Sequence, residues 1–227
     1  MNAETDFGRR LEQLRREPQV VARAAAARGE RVIGYVGNEV PVALIIAADA
    51  LPVRLRPHAQ ASTANADRFV ESSFAPALRG IAEQWLQGGL DHLDAVVFAR
   101  GDDSAQRLYY YFCELQRRGL CAGPTPLLYD VASLARPTSH EHTLDSTRLL
   151  ARQLGSAARM LEAALQRVRH REELAHAVRA HRLLPAPLRG SAGWSFEFAA
   201  GCWPLIAADW CAGHAYSFRA LMARGGW

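Results

Sequence analysis

The chain has 227 residues, 49% of them apolar and 22% charged, a balance that suits one sizeable soluble α/β domain, alone or with a helical appendage. All 27 of its basic residues are arginine, giving a net charge of +4; without lysine there is no Schiff-base chemistry, no pyridoxal phosphate anchor and no phosphate-loop lysine. The arginines are interleaved with acids, which argues against nucleic acid, and no long apolar run or leader-like N-terminus occurs, so the expectation is a cytoplasmic protein off the membrane.

Along the chain, residues 6–28 read as helix, with Leu11, Leu14, Val21 and Ala24 near helical spacing and Pro18 as a break. "RVIGYVG" is a first strand ending at Gly37. Pro41 fits the first turn of the next helix, which "VALIIAADA" completes. "LPVRLR" is a second strand, and Pro52 restricts it to a sheet edge or to the strand's start. Residues 57–73, polar and small, read as a long loop or lid. A helix at 74–87 follows, with Phe74, Leu78, Ile81 and Trp85 on one face. "LDAVVFAR" is apolar enough for a strand buried on both faces. Helix 103–118 turns Leu108, Phe112 and Leu115 inward and stops at Gly119, and "PLLYDV" is the fourth strand.

From about 144, Leu150, Leu154, Ala158, Leu161, Leu165 and Val168 mark a long amphipathic helix, with a second helical stretch to about 182. The tail from 185 holds four of the five tryptophans, three of them in "GWSFEFAAGCWPLIAADWCAGHAYSF", and has no clear period. The chain thus divides into an N-terminal helical segment at 1–29, an α/β domain at 30–143, long helices at 144–184 and an irregular tail at 185–227. Alternating strands and helices predict a three-layer α/β sandwich around a parallel, Rossmann-like sheet of about four strands.

In such a sheet, ligands bind at the carboxyl ends of the strands. That edge collects Gly37, Asn38 and Glu39 after the first strand, Arg100 to Ser104 after the third, and Asp130, Ser133 and Arg136 after the fourth. Asn38, Arg100, Ser104 and Arg136 are the candidate ligand contacts, since arginine pairs well with phosphate and carboxylate. Asp103 or Ser104 also reads simply as a helix cap.

Other motifs carry less. "SHEH" at 139–142 suits a metal only if extended and joined by further ligands, and otherwise reads as a solvated loop. "GWSFE" at 193–197 lacks the last glycine of a nucleophile elbow. No G-x-G-x-x-G follows the first strand, and His170 and His176 read as a solvated helical face. Cys113, Cys121, Cys202 and Cys211 form no C-x-x-C pair and read as buried small apolar residues.

"GYVGNEVPVALIIAADALPVRL", "DDSAQRLYYYFCELQRRG" and "LLYDVASLARPTS" together resemble the 2-hydroxyacyl-CoA dehydratase and benzoyl-CoA reductase family, over roughly residues 30–165. Subunits of that family carry two such α/β domains, of which this chain resembles the first. The resemblance implies a lyase that holds a [4Fe–4S] cluster by three cysteines and passes one electron, delivered by a separate ATP-driven iron–sulfur protein, into a CoA thioester. Aligned on this sequence, the three ligand positions are Gly37, Ala75 and Asp102, and no cysteine precedes Cys113. Cys113 lies about 15 Å along its helix from the strand-end edge. No cofactor is therefore expected in this chain, and its cluster-ligand cysteines are missing.

The expectation is a dehydratase-like subunit without a cluster of its own. It would bind an acyl-CoA or another anionic ligand, or serve as an accessory to a homologous, cluster-bearing subunit. Two alternatives stand beside it: a cofactor-independent enzyme using Asp102 and Asp103 as acid and base, and a non-catalytic partner-binding protein, as a homodimer or with another chain.

Overall fold

A computed structural model describes residues 17, 19–57, 62–101, 103–132 and 136–181, with side chains to 173. Two units group within the chain: Ala22–Leu165, and Met1–Val21 with Gln166–Trp227. The first helix, α1 (Val20–Ala27), begins in the second of these units and the last, α6 (Ala158–His181), ends in it. The expected helical turns before Pro18 and the tryptophan-rich tail lie outside the described residues, as do Cys202, Cys211 and "GWSFE".

The unit Ala22–Leu165 is an α/β sandwich. Its sheet holds β1 (Val32–Val36), β2 (Leu51–Arg54), β3 (Ala95–Ala99) and β4 (Thr125–Tyr129), all parallel, in the order β2-β1-β3-β4. The chain steps outward through α2 (Val42–Ala47) to β2, then crosses back through α3 (Pro76–Leu86) to β3. Right-handed crossovers in opposite directions place their helices on opposite faces. On one face, Trp85 of α3 stacks on Phe112 of α4 (Asp103–Arg117), ring centroids 4.0 Å apart, with Phe98 of β3 beneath at 6.1 Å from Trp85. On the other, the turn after α5 (Pro137–Leu154) bonds to α2: Ser156 Oγ donates to the Leu44 carbonyl at 2.7 Å and Ala157 N–H to that of Ala47 at 3.0 Å.

Every residue of β1 and β3 is buried, as an uncharged central run in a parallel sheet should be. Among the described residues β2 is an edge strand, which settles Pro52. Leu51 and Leu55 donate their N–H groups inward to the carbonyls of Arg31 and Tyr35, so alternation turns the nitrogen of Pro52 outward, where no donor is needed. At the amino end of the sheet, Asp94 stitches strands together. Its carboxylate accepts the Val32 N–H at 2.7 Å, its own N–H donates to the Val32 carbonyl at 2.8 Å, and its carbonyl accepts from Thr125 at 3.1 Å.

Several local expectations are corrected. Pro41 does not sit inside α2. It is the centre of an inverse γ-turn (φ −75°, ψ 82°) closed by Val42 N–H on the Val40 carbonyl at 2.9 Å, and the helix begins after it. α2 is also shorter than its apolar run, because the chain turns left-handed at Asp49 (φ 53°). α5 starts at Pro137 rather than near 144, so "SHEH" lies on its first turns instead of in a loop. The amphipathic pattern running on to Val168 belongs to two helices, since Gly155 (φ 70°) ends α5. Phe74 precedes α3, and Cys113 and Cys121 are only half-buried.

The described part of the expected loop or lid, 62–73, is pinned. Glu83 of α3, 1% exposed, accepts from Ala66 N–H at 2.7 Å, Asn65 Nδ2 at 2.8 Å and Gln87 Nε2 at 2.7 Å. Asp67 accepts from Thr63 Oγ1 at 3.1 Å and pairs with Arg79, whose hydrogen bond holds the carboxyl below the ordinary carboxylate range. Among the described residues, no helix is long and apolar enough to cross a membrane.

Candidate functional site at the carboxyl edge of the sheet

Strand order 2-1-3-4 puts the topological switch point between β1 and β3, where successive crossovers leave in opposite directions and open a crevice at the strand ends. Three segments meet this edge: the turn after β1 (Gly37, Asn38, Glu39), the turn after β3 (Arg100, Gly101), and the chain after β4 (Asp130). Ala75, just before α3, lies toward the same edge because α3 runs antiparallel to the strands.

Between the first two turns lies the Glu39 side chain. Its Oε2 accepts the Asn38 N–H at 3.0 Å. A Cβ built on Gly37, which has φ 101°, would stand 3.1 Å from that same oxygen and 2.8 Å from the Ala99 Cβ. A Cβ on Gly101 would stand 2.7 Å from the Glu39 Cδ. Neither glycine can be replaced without moving a neighbour, and Gly37 also has a backbone conformation that side chains rarely adopt.

Two of the predicted ligand contacts, Asn38 and Arg100, have internal partners. Asn38 Oδ1 accepts from Arg54 Nη2 at 2.6 Å. Arg100 Nη1 donates to both oxygens of Asp130, at 2.8 and 3.0 Å, and His142 Nε2 of α5 lies 3.1 Å from the same carboxylate. Ser104 lies in the first turn of α4 beside Asp103, which starts that helix, and Arg136 is exposed at the start of α5. Asp102 and Ser133 lie outside the described residues. The structure thus brings Arg100 to Asp130 and His142, and Asn38 to Arg54.

A further constellation went unread in the sequence. Glu71 accepts from Tyr111 Oη at 2.9 Å, Arg107 Nη2 at 2.7 Å and Ser73 Oγ at 3.1 Å. These bonds, the one from Tyr111 foremost, hold the Glu71 carboxyl below its ordinary range, and the carboxylate in turn pushes the Tyr111 phenol up. Arg107 also stacks on Phe74, 4.5 Å from the ring centroid, and Phe74 meets Tyr111 edge-on at 5.6 Å. The segment leading to Ala75 is thereby clamped to α4. Only the "RLYYY" spacing, with Arg107 and Tyr111 one turn apart, hinted at such a face; Glu71 gave no local sign.

"SHEH" does not form a metal pair. His140 and His142, two apart on a helix, point to different sides. Among the described residues no group of three or more His, Cys, Asp or Glu side chains is placed to hold a metal ion.

An open parallel α/β domain with its ligand edge at the strand ends defines the class. Within it the chain belongs to the family described as 2-hydroxyglutaryl-CoA dehydratase, D-component, whose model matches residues 38–189. The chain has no match among curated proteins.

The donor set of this edge does not fit an iron–sulfur cluster. Thiolates hold iron in such clusters, and the positions that the resemblance implies for them carry Gly37, Ala75 and Asp102. A ligating side chain at 37 would meet Ala99 in a left-handed turn. Cys113 lies well along α4, and Cys121 follows its far end. Burial pushes the Cys121 thiol up, away from the thiolate a metal requires.

Proposed function

We propose that this chain is a cluster-free subunit of the dehydratase type, working as an accessory beside a cluster-bearing partner rather than as the electron-accepting subunit itself. One observation carries the reading: the turn at Gly37, where the resemblance calls for a ligating cysteine, has a backbone and a neighbour in Ala99 that leave no room for a side chain. No cysteine occurs earlier in the sequence to take over that role. The internal pairing of Asn38 with Arg54 and of Arg100 with Asp130 favours an accessory role over an open anion site at those residues.

The test is native mass spectrometry on the full chain purified without oxygen. The expected species is the bare polypeptide, and co-expression with a cluster-bearing subunit of the family yields a defined complex in which all iron and sulfide belong to that partner. An added mass matching [4Fe–4S] on this chain alone overturns the proposal.

A second reading, binding of an acyl-CoA or a similar anion by this chain, is favoured by Arg136, exposed at the start of α5. Calorimetric titration with a CoA thioester decides it. Binding that weakens on Arg136→Ala and Arg100→Ala supports the reading, and affinity unchanged by both substitutions removes it.

A further inference from the structure

In an open α/β sheet, the exposed backbone N–H groups of the turn after the first strand are the donors that a bound anion uses at the switch point. Here one of those donors is already occupied from within, because Asn38 N–H donates to Glu39 Oε2 at 3.0 Å. The same side chain reaches across to the turn after β3, where Gly101 lies so close that a Cβ would stand 2.9 Å from Glu39 Oε1 and 3.0 Å from its Cγ. A glycine in each turn leaves the space that this side chain fills.

We infer that Glu39 is a built-in occupant of the β1/β3 crevice, an autoinhibitory carboxylate that takes the place of an external phosphate or carboxylate and closes the crevice to anions. The closure acts in two ways. The carboxylate removes the free donor at Asn38, and it sets a negative charge where an anion would come, a like-charge juxtaposition that disfavours binding. Arg54 Nη2 donates to Asn38 Oδ1 at 2.6 Å, so its recorded hydrogen bond is to the Asn38 amide and not to the Glu39 carboxylate. The inference rests on the two turns and is independent of whether the chain acts as an accessory subunit.

The experiment is calorimetric titration of inorganic pyrophosphate into the full chain. Glu39→Ala removes the occupant, and because Glu39 is exposed and its side chain, among the described residues, bonds to its neighbour's N–H, the fold is expected to persist. Its pyrophosphate affinity is expected to exceed that of the unaltered chain by about tenfold or more. Gly101→Ala displaces the same side chain sterically while keeping its charge, so affinity rises in the same direction by a smaller factor. Affinities of both variants within about twofold of the unaltered chain overturn the inference. An iron-bearing preparation would contradict the accessory reading and leave this comparison intact.

Discussion

At the amino end of the sheet, Asp94 spends its carboxylate and both of its backbone groups on other backbone atoms, joining β1, β3 and β4. At the carboxyl end, Asp130 directs its carboxylate to two half-exposed side chains, Arg100 and His142. A carboxylate bonded to backbone is part of the fold, and losing it orphans groups that have no other partner. A carboxylate held between mobile, hydrated side chains is exchangeable with an external anion or cation at little cost. Charge at one end of this sheet is therefore bonded into the backbone of the domain, and charge at the other end is paired between exposed side chains.

The contrast predicts a graded series of effects. The largest belongs to Glu83, the buried carboxylate that binds the Ala66 N–H and the Asn65 amide. Glu83→Ala should cost about 3 kcal/mol, because two donors lose their partner in a buried site, and should lower the thermal midpoint by about 6–12 °C in a chain of this size. A midpoint unchanged in calorimetry would place the loop 62–73 outside the cooperative fold. Asp94→Ala comes next, with about 1–2 kcal/mol lost for the Val32 N–H. Arg100→Ala should change stability by less than about 1 kcal/mol, as exposed pairs do. Denaturant titrations of these two variants giving equal losses would erase the distinction between the ends of the sheet.

The smallest effect is one of acidity at Glu71. Its carboxyl is held below the ordinary range by Tyr111 first and Arg107 next. A lowered folded-state pKa adds stability that is complete above the unfolded carboxylate range and is lost as pH falls through the lowered value. Tyr111→Phe removes the foremost of these bonds, so amide exchange in residues 62–73 should accelerate at a higher pH than in the unaltered chain. Superimposable pH profiles would show that the clamp does not anchor the segment.

How far the sequence reveals this molecule depends on how local each cause is. β3 was legible because five uncharged residues buried on both faces leave no polar alternation to confuse the reading. α4 was legible from Leu108, Phe112 and Leu115 and from Gly119 beyond its end, where φ is 68°. The first turns of α5 were not, because what fixes them is neither apolar nor periodic. Thr143 Oγ1 accepts the Ala132 N–H, Ser146 Oγ accepts that of Asp130, and Thr147 shares a bond with the Tyr129 hydroxyl. At the candidate site, the sequence placed Asn38 and Arg100 at the correct edge, since topology alone carries them there. It did not foretell Arg54, Asp130 or His142 as their partners, because those pairings come from different elements. Glu39 was visible as an edge residue, but its reach to Gly101 depends on two turns far apart in the chain.

Pro52 on the edge strand β2 has a consequence for assembly. An unpaired strand offers a neighbouring chain a row of outward donors and acceptors, and sheets grow into aggregates along such rows. Here the row is interrupted, since the outward nitrogen at position 52 has no hydrogen to give. Continuation of the sheet past β2 into another molecule is thereby disfavoured, and a partner subunit that docks on this domain gains more by approaching elsewhere than by adding a strand there.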